Sequence, residues 1–280
     1  MHDVKIALLL FLLTGTTATV AQETVLEPKS PSNWVIQRGD GALDVADENA
    51  VTYKNAMESE VDIITDVSLR IDPEKSYRLS GACKTLPDAE VDTFRLGVAP
   101  LNDAGDQIAA TQVNVVAGTE TELAADCQPE DTEVIIKNGA NWEVTPTSNY
   151  DCIAFDVDDS GNYNDLPNAN LSRLGITEVT KTADGYKVTL AKSCGVRFPS
   201  GTKVRKHAAS ANAIYLANLT KGLPQEWKEF SGRISGTSLS GNTQDKWWRG
   251  TKQAKIFINA RGATGAPPQF IFKDIRLEEE

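Results

Sequence analysis

The residues of this chain best suited to bind a ligand by stacking lie in one short segment near the C-terminus. Asp245, Trp247, Trp248 and Arg249 follow each other closely there. A water-facing indole offers a flat apolar surface, and charged neighbours supply hydrogen bonds around it. Sugar rings are bound in this way, so we predict carbohydrate contacts at this segment. The alternative is that both indoles fill a core, as large aromatic side chains often do.

The geometry of a strand limits what this segment can present. Neighbouring residues of a strand point to opposite faces, so we expect only one of Trp247 and Trp248 to face a given ligand. We predict Trp142 as a second stacking platform. Tyr163, with Asp245 and Arg249, is expected to supply hydrogen bonds to sugar hydroxyls.

A dense group of oxygen-bearing side chains precedes Pro167. Four carboxylates fall within ten positions, at Asp156, Asp158, Asp159 and Asp165. Calcium takes six to eight oxygen ligands from a flexible loop, so these residues are candidate calcium ligands. Because Pro167 stands where an EF-hand would place its bidentate Glu, we do not expect an EF-hand. The alternative is an acidic turn that faces water.

Basic residues concentrate over a second short stretch, at Arg197, Lys203, Arg205, Lys206 and His207. Together with Tyr215, they could bind the carboxylate of an acidic sugar, which arginine does in bidentate fashion. They could also serve a lyase, in which Arg neutralises a uronate while Tyr or His moves a proton. The alternative is a strand whose charged side chains face solvent.

Charge and the N-terminal residues bound the class of protein. The net charge of −11 and the isoelectric point near 4.8 argue against nucleic acid, which needs a basic surface. Residues 1–21 resemble a secretory signal, with an apolar stretch too short to span a bilayer. We therefore predict a secreted or extracytoplasmic protein, in the periplasm or at the cell surface, with no membrane span. Residues 22–32 form a polar lead-in.

The chain contains an even number of cysteines, Cys83, Cys127, Cys152 and Cys194. Export to an oxidising compartment makes disulfides the default expectation. Four cysteines allow three pairings. We favour Cys83 with Cys127 and Cys152 with Cys194, since each pair would join the ends of neighbouring strand segments.

From Trp34 onward the pattern is that of short strands. Alternating apolar residues are separated by Gly, Asn and Asp turns at a spacing near ten, and no long helical periodicity occurs. This pattern indicates a β-sandwich or barrel. Residues 138–206 depart from this pattern of regularly spaced strands and contain a hairpin around Asp184. We predict one module over residues 33–280, with this stretch as an inserted β-rich lobe.

Several phrases of the sequence carry a resemblance to a known family. They are Asn33–Trp34, Tyr77–Gly81, Pro224–Gly232, Lys255–Ile258 and Phe272–Leu277. In this order they resemble the galactose-binding-like jelly rolls of carbohydrate-binding modules, the type attached to xylanases and laminarinases. The resemblance implies an all-β jelly-roll sandwich. It also implies a preference for polysaccharides or cell-surface glycans.

The same family often holds a structural calcium near the chain termini. Asp274 in the closing strand matches the usual side-chain ligand, and the alternative is a strand-end carboxylate in water. We therefore predict a secreted, non-catalytic carbohydrate-binding protein with a structural calcium. One rival is a polysaccharide lyase or glycoside hydrolase on the same sandwich. The other is a structural or adhesive surface protein whose Trp residues are all buried.

Overall fold

The computed structural model describes residues 25–47, 50–54, 57–241 and 243–280. The signal segment 1–21 and the first residues of the polar lead-in lie outside this part of the chain, so both stay predictions. Within it, no helix has the length and apolar character needed to cross a membrane.

The described residues form eighteen strands and four short 3-10 turns. The strands are, in chain order, β1 (Val25–Leu26), β2 (Trp34–Arg38), β3 (Ala42–Asp47), β4 (Ala50–Lys54), β5 (Glu60–Thr65), β6 (Leu69–Arg70), β7 (Ser76–Thr85), β8 (Val91–Leu101), β9 (Thr121–Glu122), β10 (Glu133–Ile136), β11 (Cys152–Phe155), β12 (Ile176–Thr182), β13 (Gly185–Leu190), β14 (Lys203–His207), β15 (Ile214–Leu219), β16 (Lys228–Ser235), β17 (Gln253–Gly262) and β18 (Phe270–Glu279). The 3-10 turns are Pro31–Asn33, Ala110–Gln112, Pro146–Tyr150 and Ala263–Gly265.

Two large antiparallel sheets form the sandwich. The first sheet has the order β16-β7-β18-β4-β3, with β1 beside β18, and the second has the order β15-β8-β17-β5-β2, with β6 beside β17. Successive strands of the chain, such as β7 and β8 or β17 and β18, occupy matching places in opposite sheets. The chain therefore wraps across the sandwich again and again, which is a jelly roll. The predicted fold class is confirmed.

Alternation along the strands builds the core between the two sheets. In β7 the side chains of Tyr77, Leu79 and Cys83 point inward and are buried, while Arg78 and Ser80 between them are half-buried on the outer face. The inward-facing residues of both sheets join a single cluster. Aromatic contacts tie the sheets together, as in the edge-to-face pair of Trp34 and Phe272, whose ring centroids are 5.0 Å apart.

The inserted lobe lies between β8 and β15 and contains two three-stranded sheets, with the orders β10-β13-β12 and β11-β14-β9. The lobe begins earlier in the chain than predicted. Residues 112–136 read as a continuation of the sandwich, but β9 pairs with β14 and β10 pairs with β13. Periodicity alone cannot tell which partner a short strand will choose, because both sheets bury one face in the same way. The hairpin around Asp184 is confirmed as β12 and β13.

The cysteines are arranged differently from the favoured pairing. Cys83 lies in the sandwich core, whereas Cys127 and Cys194 share the separate core of the inserted lobe. The sulfur atoms of Cys127 and Cys194 are 3.1 Å apart. Cys152 begins β11 and pairs across the ladder with His207. The favoured combination of Cys83 with Cys127 and Cys152 with Cys194 is therefore wrong for this arrangement of the chain.

Candidate functional site

The segment predicted to present an open stacking surface is buried instead. Trp247 and Trp248 are both fully shielded from solvent and belong to the sandwich core. Trp247 packs edge-to-face on Tyr77, with ring centroids 5.6 Å apart. Neither indole nitrogen has a hydrogen-bond partner among the described residues. The two residues predicted as stacking platforms thus serve packing.

The expectation that the two indoles point to opposite faces, with only one of them facing a given ligand, fails for a clear reason. Residues 244–250 form turns and a single bridge, from Trp247 to Thr237, rather than a pleated strand. The alternation of faces applies only to a regular strand. Outside one, both neighbouring side chains can turn to the same side.

The other predicted carbohydrate contacts are also used internally or lie apart. Trp142 is buried in the lobe, where its indole N–H donates to the carbonyl of Thr119 at 2.8 Å. Asp245 is exposed on a turn. Arg249 donates hydrogen bonds to the backbone carbonyls of Asn162 and, at 2.7 Å, Tyr163. The structure therefore brings Arg249 and Tyr163 together, but as a contact between two loops.

Tyr163 and Arg249 belong to a compact set of contacts that we call the junction cluster, formed by Tyr163, Asp165, Arg205, His207 and Arg249. The fully buried guanidinium of Arg205 donates to Asp165 at 2.6 Å and to Nε2 of His207 at 2.8 Å. The Arg205 guanidinium also lies 5.0 Å from the ring centroid of Tyr163. Nδ1 of His207 donates to the carbonyl of Thr111 at 2.6 Å.

The junction cluster contains Arg205 and His207 of the basic stretch that had suggested an anion site or a lyase. Burial lowers the pKa of His207 to about 4, and the charge of Arg205 acts in the same direction. Lys206 is buried in an ion pair with Asp151 at 2.8 Å. Lys203 is partly exposed, but it pairs with Glu122 and Asp159. These basic groups therefore neutralise carboxylates of the protein itself.

The predicted calcium ligands are likewise held by protein groups. The carboxylate of Asp158 accepts backbone N–H groups of Ser160 and Asn164 at 2.9 Å each, and these bonds lower its pKa to about 2. Asp159 pairs with Lys203, and Asp165 pairs with Arg205. Among residues 25–47, 50–54, 57–241 and 243–280, no three His, Cys, Asp or Glu side chains form a group that could hold a metal ion. This geometry does not support the predicted ligand set.

The remaining two candidate ligands lie apart from each other. Asp156 is exposed at a residue with a left-handed backbone (φ 55°), just after β11. Asp274 is exposed at an irregularity of β18, and its nearest ion-pair partner is Lys273 at 3.9 Å. Calcium binding stays a prediction, to be tested by chelation.

A different surface brings together side chains that could recognise a sugar. It is a cleft of about 400 Å³ on the outer face of the second sheet. We call it the Tyr215 cleft; its lining residues are Gln37, Arg38, Glu60, Asp62, Arg95, Gln107, Ser210, Ala211, Asn212, Tyr215, Phe257 and Asn259.

The register of the second sheet places an apolar row across this cleft. Tyr215 on β15 is opposite Gly97 on β8, and Gly97 is opposite Phe257 on β17, which in turn is opposite Ile64 on β5. Phe257 and Ile64 are buried at the floor, and the half-buried Tyr215 packs against them. The ring centroids of Tyr215 and Phe257 are 6.1 Å apart.

Gly97 permits this close approach of the two rings. A Cβ at this position would lie 2.3 Å from the carbonyl oxygen of Ile214 and 3.0 Å from Cα of Tyr215. Such distances are too short for any side chain, because the contacting atoms are backbone atoms of the neighbouring strand. The absence of a side chain therefore allows β15 to carry Tyr215 close to Phe257.

A polar row runs beside the apolar row on the same face of the sheet. On β8, β17 and β5 the residues of the two rows are two positions apart. The ladder aligns Asn218, Arg95, Asn259, Asp62 and Arg38 across five strands. The buried amide of Asn259 donates to Asp62 at 2.8 Å and to Glu60 at 2.9 Å. Its oxygen accepts a hydrogen bond from Arg95 at 3.3 Å.

The polar row contains two arginines. Arg38 pairs with Glu60 at 2.7 Å and with Asp62 at 3.0 Å. Partial burial lowers the pKa of Arg38, but the two carboxylates raise it by more, so the net pKa is above its usual value. The guanidinium of Arg95 lies over Tyr215, 5.2 Å from the ring centroid. Burial raises the pKa of Tyr215, so its hydroxyl stays protonated and can donate a hydrogen bond.

A loop between the lobe and β15 forms the rim of the cleft. The side chain of Asn212 accepts the backbone N–H of Ala110 at 3.0 Å. The carbonyl of Asn212 accepts a hydrogen bond from Gln107 at 2.7 Å. These bonds fix the loop over the outer face of the sheet.

Tyr215 was predicted from the sequence to take part in binding, but only as a partner of the basic stretch. The other lining residues are scattered from Gln37 to Asn259, and no local spacing links them. One signal was available in each strand. Asp62, Arg95 and Asn259 each stand between two apolar residues of their strand, which is typical of a strand with one face turned away from the core.

Comparison with known proteins bears on the fold alone. Neither a protein-family model nor a curated protein matches the sequence. Among solved structures, the CBM22-1 xylan-binding domain of Xyn10C from Paenibacillus barcinonensis is similar over 90% of this chain and 89% of that domain, at 7% identity and a TM-score of 0.33. A CBM4 structure is similar over 93% of this chain and 94% of its own, at 8% identity and a TM-score of 0.26.

An enzyme gives a match of similar quality. The arabinose-bound α-L-arabinofuranosidase MgGH51 is similar over 91% of this chain at 8% identity, with a TM-score of 0.36. This chain spans only 26% of that enzyme's length. All three superpositions are loose, and the jelly-roll assignment rests on the strand order given above.

Proposed function

We propose that this chain is a secreted, non-catalytic carbohydrate-binding protein whose ligand lies in the Tyr215 cleft. The observation that carries the proposal is the pair of parallel rows across the second sheet, one apolar and one polar. A sugar ring has the same division, with C–H groups on its faces and hydroxyls around its edge. The ring would stack on Tyr215 while its hydroxyls bond to the polar row.

The polar row favours a neutral glycan. Arg38 and Arg95 bring two positive charges, and the neighbouring Glu60 and Asp62 bring two negative charges, so the lining of the cleft has no net charge. The carboxylates already pair with Arg38 and Asn259. A uronate would have to compete with these carboxylates for the guanidinium of Arg38. Neutral hydroxyls can instead both donate to and accept from the existing network.

Rigidity of the network supports a binding role. Asn259 is almost fully buried and holds both carboxylates and Arg95 at once. Groups fixed before the ligand arrives lose little conformational freedom on binding, which favours affinity. The rim loop is held by Asn212 in the same way.

A lyase function has less support from the geometry. The lyase hypothesis needs Tyr215 and His207 to act on one substrate. His207 is fully buried in the junction cluster, with Arg205 and Thr111 on its two ring nitrogens. Tyr215 lies in the cleft on the second sheet. The structure therefore does not bring this acid–base pair into a shared cleft.

The test is binding of the full mature chain to xylan, β-glucan and mannan, compared with polygalacturonate and alginate, by affinity electrophoresis and calorimetry. We expect retention by at least one neutral polysaccharide. Loss of the stacked ring in Tyr215→Ala should remove about 1–3 kcal/mol, by analogy with other aromatic stacking, and weaken binding by about 5- to 150-fold. A parallel assay for new reducing ends or unsaturated products should show none.

The matched control is Trp227→Ala. Trp227 is 38% exposed on the outer face of the first sheet, with the ammonium groups of Lys84 and Lys273 within 5 Å of its ring centroid. It lies outside the Tyr215 cleft, so this variant should bind like the wild type. Equal binding by wild type and Tyr215→Ala would exclude the cleft. Repeating the assay with EDTA tests the calcium prediction.

A further inference from the structure

We propose that Cys127 and Cys194 form a disulfide that closes the inserted lobe once the chain is exported. The two sulfur atoms are 3.1 Å apart, both residues are buried, and both belong to the core of the lobe. A disulfide bond is about 2.0 Å long, so the sulfurs need to approach by only about 1 Å. This crosslink is independent of the function proposed for the Tyr215 cleft.

The backbone already holds the two cysteine segments side by side. The N–H of Cys127 donates to the carbonyl of Phe198 at 2.8 Å, and the N–H of Phe198 donates back at 3.0 Å. The N–H of Cys194 donates to the carbonyl of Asp131, and that of Gly195 to Pro129. Two stretches that are far apart in sequence thus run together for several residues. A covalent bond between them would fix an arrangement that these hydrogen bonds already specify.

The other two cysteines lack such a partner. Cys83 faces the core of the sandwich, between the two large sheets. Cys152 lies at the start of β11, opposite His207. Among the described residues, Cys127 and Cys194 are the pair of cysteines whose sulfur atoms are in contact. We therefore assign Cys83 and Cys152 as free buried thiols.

Oxidation of the pair proceeds by thiol–disulfide exchange, in which a thiolate is the nucleophile. The thiolate of one cysteine would attack a disulfide of an oxidant, either a protein disulfide donor or oxidised glutathione, and release one of its thiols. The other cysteine, whose sulfur lies 3.1 Å away, would then displace the second thiol. Two electrons and two protons thus pass from the cysteines to the oxidant.

Peptide mapping tests the assignment directly, because trypsin places each cysteine on a different peptide. Cleavage after Lys and Arg gives residues 79–84 with Cys83, 96–137 with Cys127, 138–173 with Cys152, and 193–197 with Cys194. The full chain is exported to a bacterial periplasm and then denatured in the presence of N-ethylmaleimide, which alkylates free thiols. It is digested with trypsin without reductant. We expect 96–137 linked to 193–197, and 79–84 and 138–173 carrying the maleimide.

Two variants separate the crosslink from the fold. The double variant Cys83→Ala with Cys152→Ala should keep the linkage between 96–137 and 193–197. Cys127→Ser should leave Cys194 alkylated, and no other pair should form in its place. A linked peptide that contains Cys83 or Cys152 in the wild type would overturn the assignment. So would four alkylated cysteines in the exported protein.

Discussion

The Tyr215 cleft and the junction cluster use similar residue types for opposite purposes. Both combine an aromatic ring with arginine and acidic partners. In the junction cluster, Arg205 is fully buried and its guanidinium donates to Asp165 and His207, so its charge is neutralised within the protein. In the Tyr215 cleft, Arg38 is half-exposed and Tyr215 borders open space. The first region holds the lobe to the sandwich, and the second is available to a ligand.

The difference follows from how each region is built. The junction cluster joins loops and a central strand, β14, whose neighbours β9 and β11 cover its edges. Polar side chains there must pair with each other, because unpaired buried charges are costly. The cleft lies on the outer face of a regular sheet. The pleat sends every second residue of each strand to that face, so residues distant in sequence meet there, and Arg38 and Tyr215 keep part of their surface in water.

Truncation of Trp247 should give the largest effect and sharpen this contrast. Trp247→Ala leaves a cavity in the sandwich core, and such changes cost about 3–5 kcal/mol. We expect a loss of Tm on the order of 10 °C, since a chain of this size loses a few degrees per kcal/mol. Thermal unfolding followed by tryptophan fluorescence measures the shift.

The folded fraction of Trp247→Ala should still bind glycan as the wild type does, because Trp247 lies outside the cleft. Trp227→Ala is the matched control for removal of an indole and should change Tm much less, since its ring is partly in water. A variant at Trp247 that keeps its Tm but loses glycan would reverse the roles of the two regions.

Sequence periodicity was sufficient for the fold and insufficient for the position of the site. Alternating strands such as Ser76–Thr85 and Gln253–Gly262 identify a sandwich because burial of one face needs only a local pattern. The predicted stacking surface at Trp247 and Trp248 was wrong because it assumed that both residues lie in a strand, whereas the segment is a turn. Whether an aromatic residue is exposed depends on what packs over it, and distant parts of the chain decide that.

The cleft residues could not be grouped from sequence for a related reason. Arg38, Asp62, Arg95 and Asn259 become neighbours only through the strand order and register of the second sheet. Those are long-range properties. The acidic stretch at 156–165 and the basic stretch at 197–207 are each evident because their residues are close in sequence. The structure uses them to pair with each other, as Arg205 does with Asp165.

Titration of His207 should give an intermediate effect, confined to the junction cluster. Its pKa is about 4 in the folded protein and about 6.5 in an unfolded chain, so between these values the unfolded state binds the extra proton. Stability is therefore fully present above about pH 6.5 and falls as the pH drops toward 4. The loss should reach about 2 kcal/mol at pH 5 and grow further by pH 4.5.

Chemical denaturation from pH 7 to pH 4.5 measures this loss, and His207→Gln is the comparison. The variant should lose most of the pH dependence in this range. Asp165 does not interfere, because its pKa is lowered and its contribution is lost only at more acidic pH. If glycan affinity fell in parallel with the titration of His207 while the protein stayed folded, the two regions would be coupled rather than separate.

Substitution of Gly97 should give the smallest effect on stability and act on the cleft itself. In Gly97→Ala the new methyl group meets the backbone of Ile214, so β15 must move away from β8. Overpacking of this kind costs about 1–3 kcal/mol. Because β15 carries Tyr215, its ring should shift relative to Phe257 and glycan affinity should fall by more than the modest loss of Tm would suggest. Gly201→Ala, at a turn of the lobe with a left-handed backbone (φ 84°) and nothing within 4 Å of its Cβ position, strains the backbone away from the cleft and controls for a general loss of stability. Calorimetric titration of both variants with the polysaccharide that binds the wild type compares them. Equal affinity for Gly97→Ala and the wild type would mean that the spacing of Tyr215 and Phe257 does not set recognition, and the polar row alone would then have to account for it.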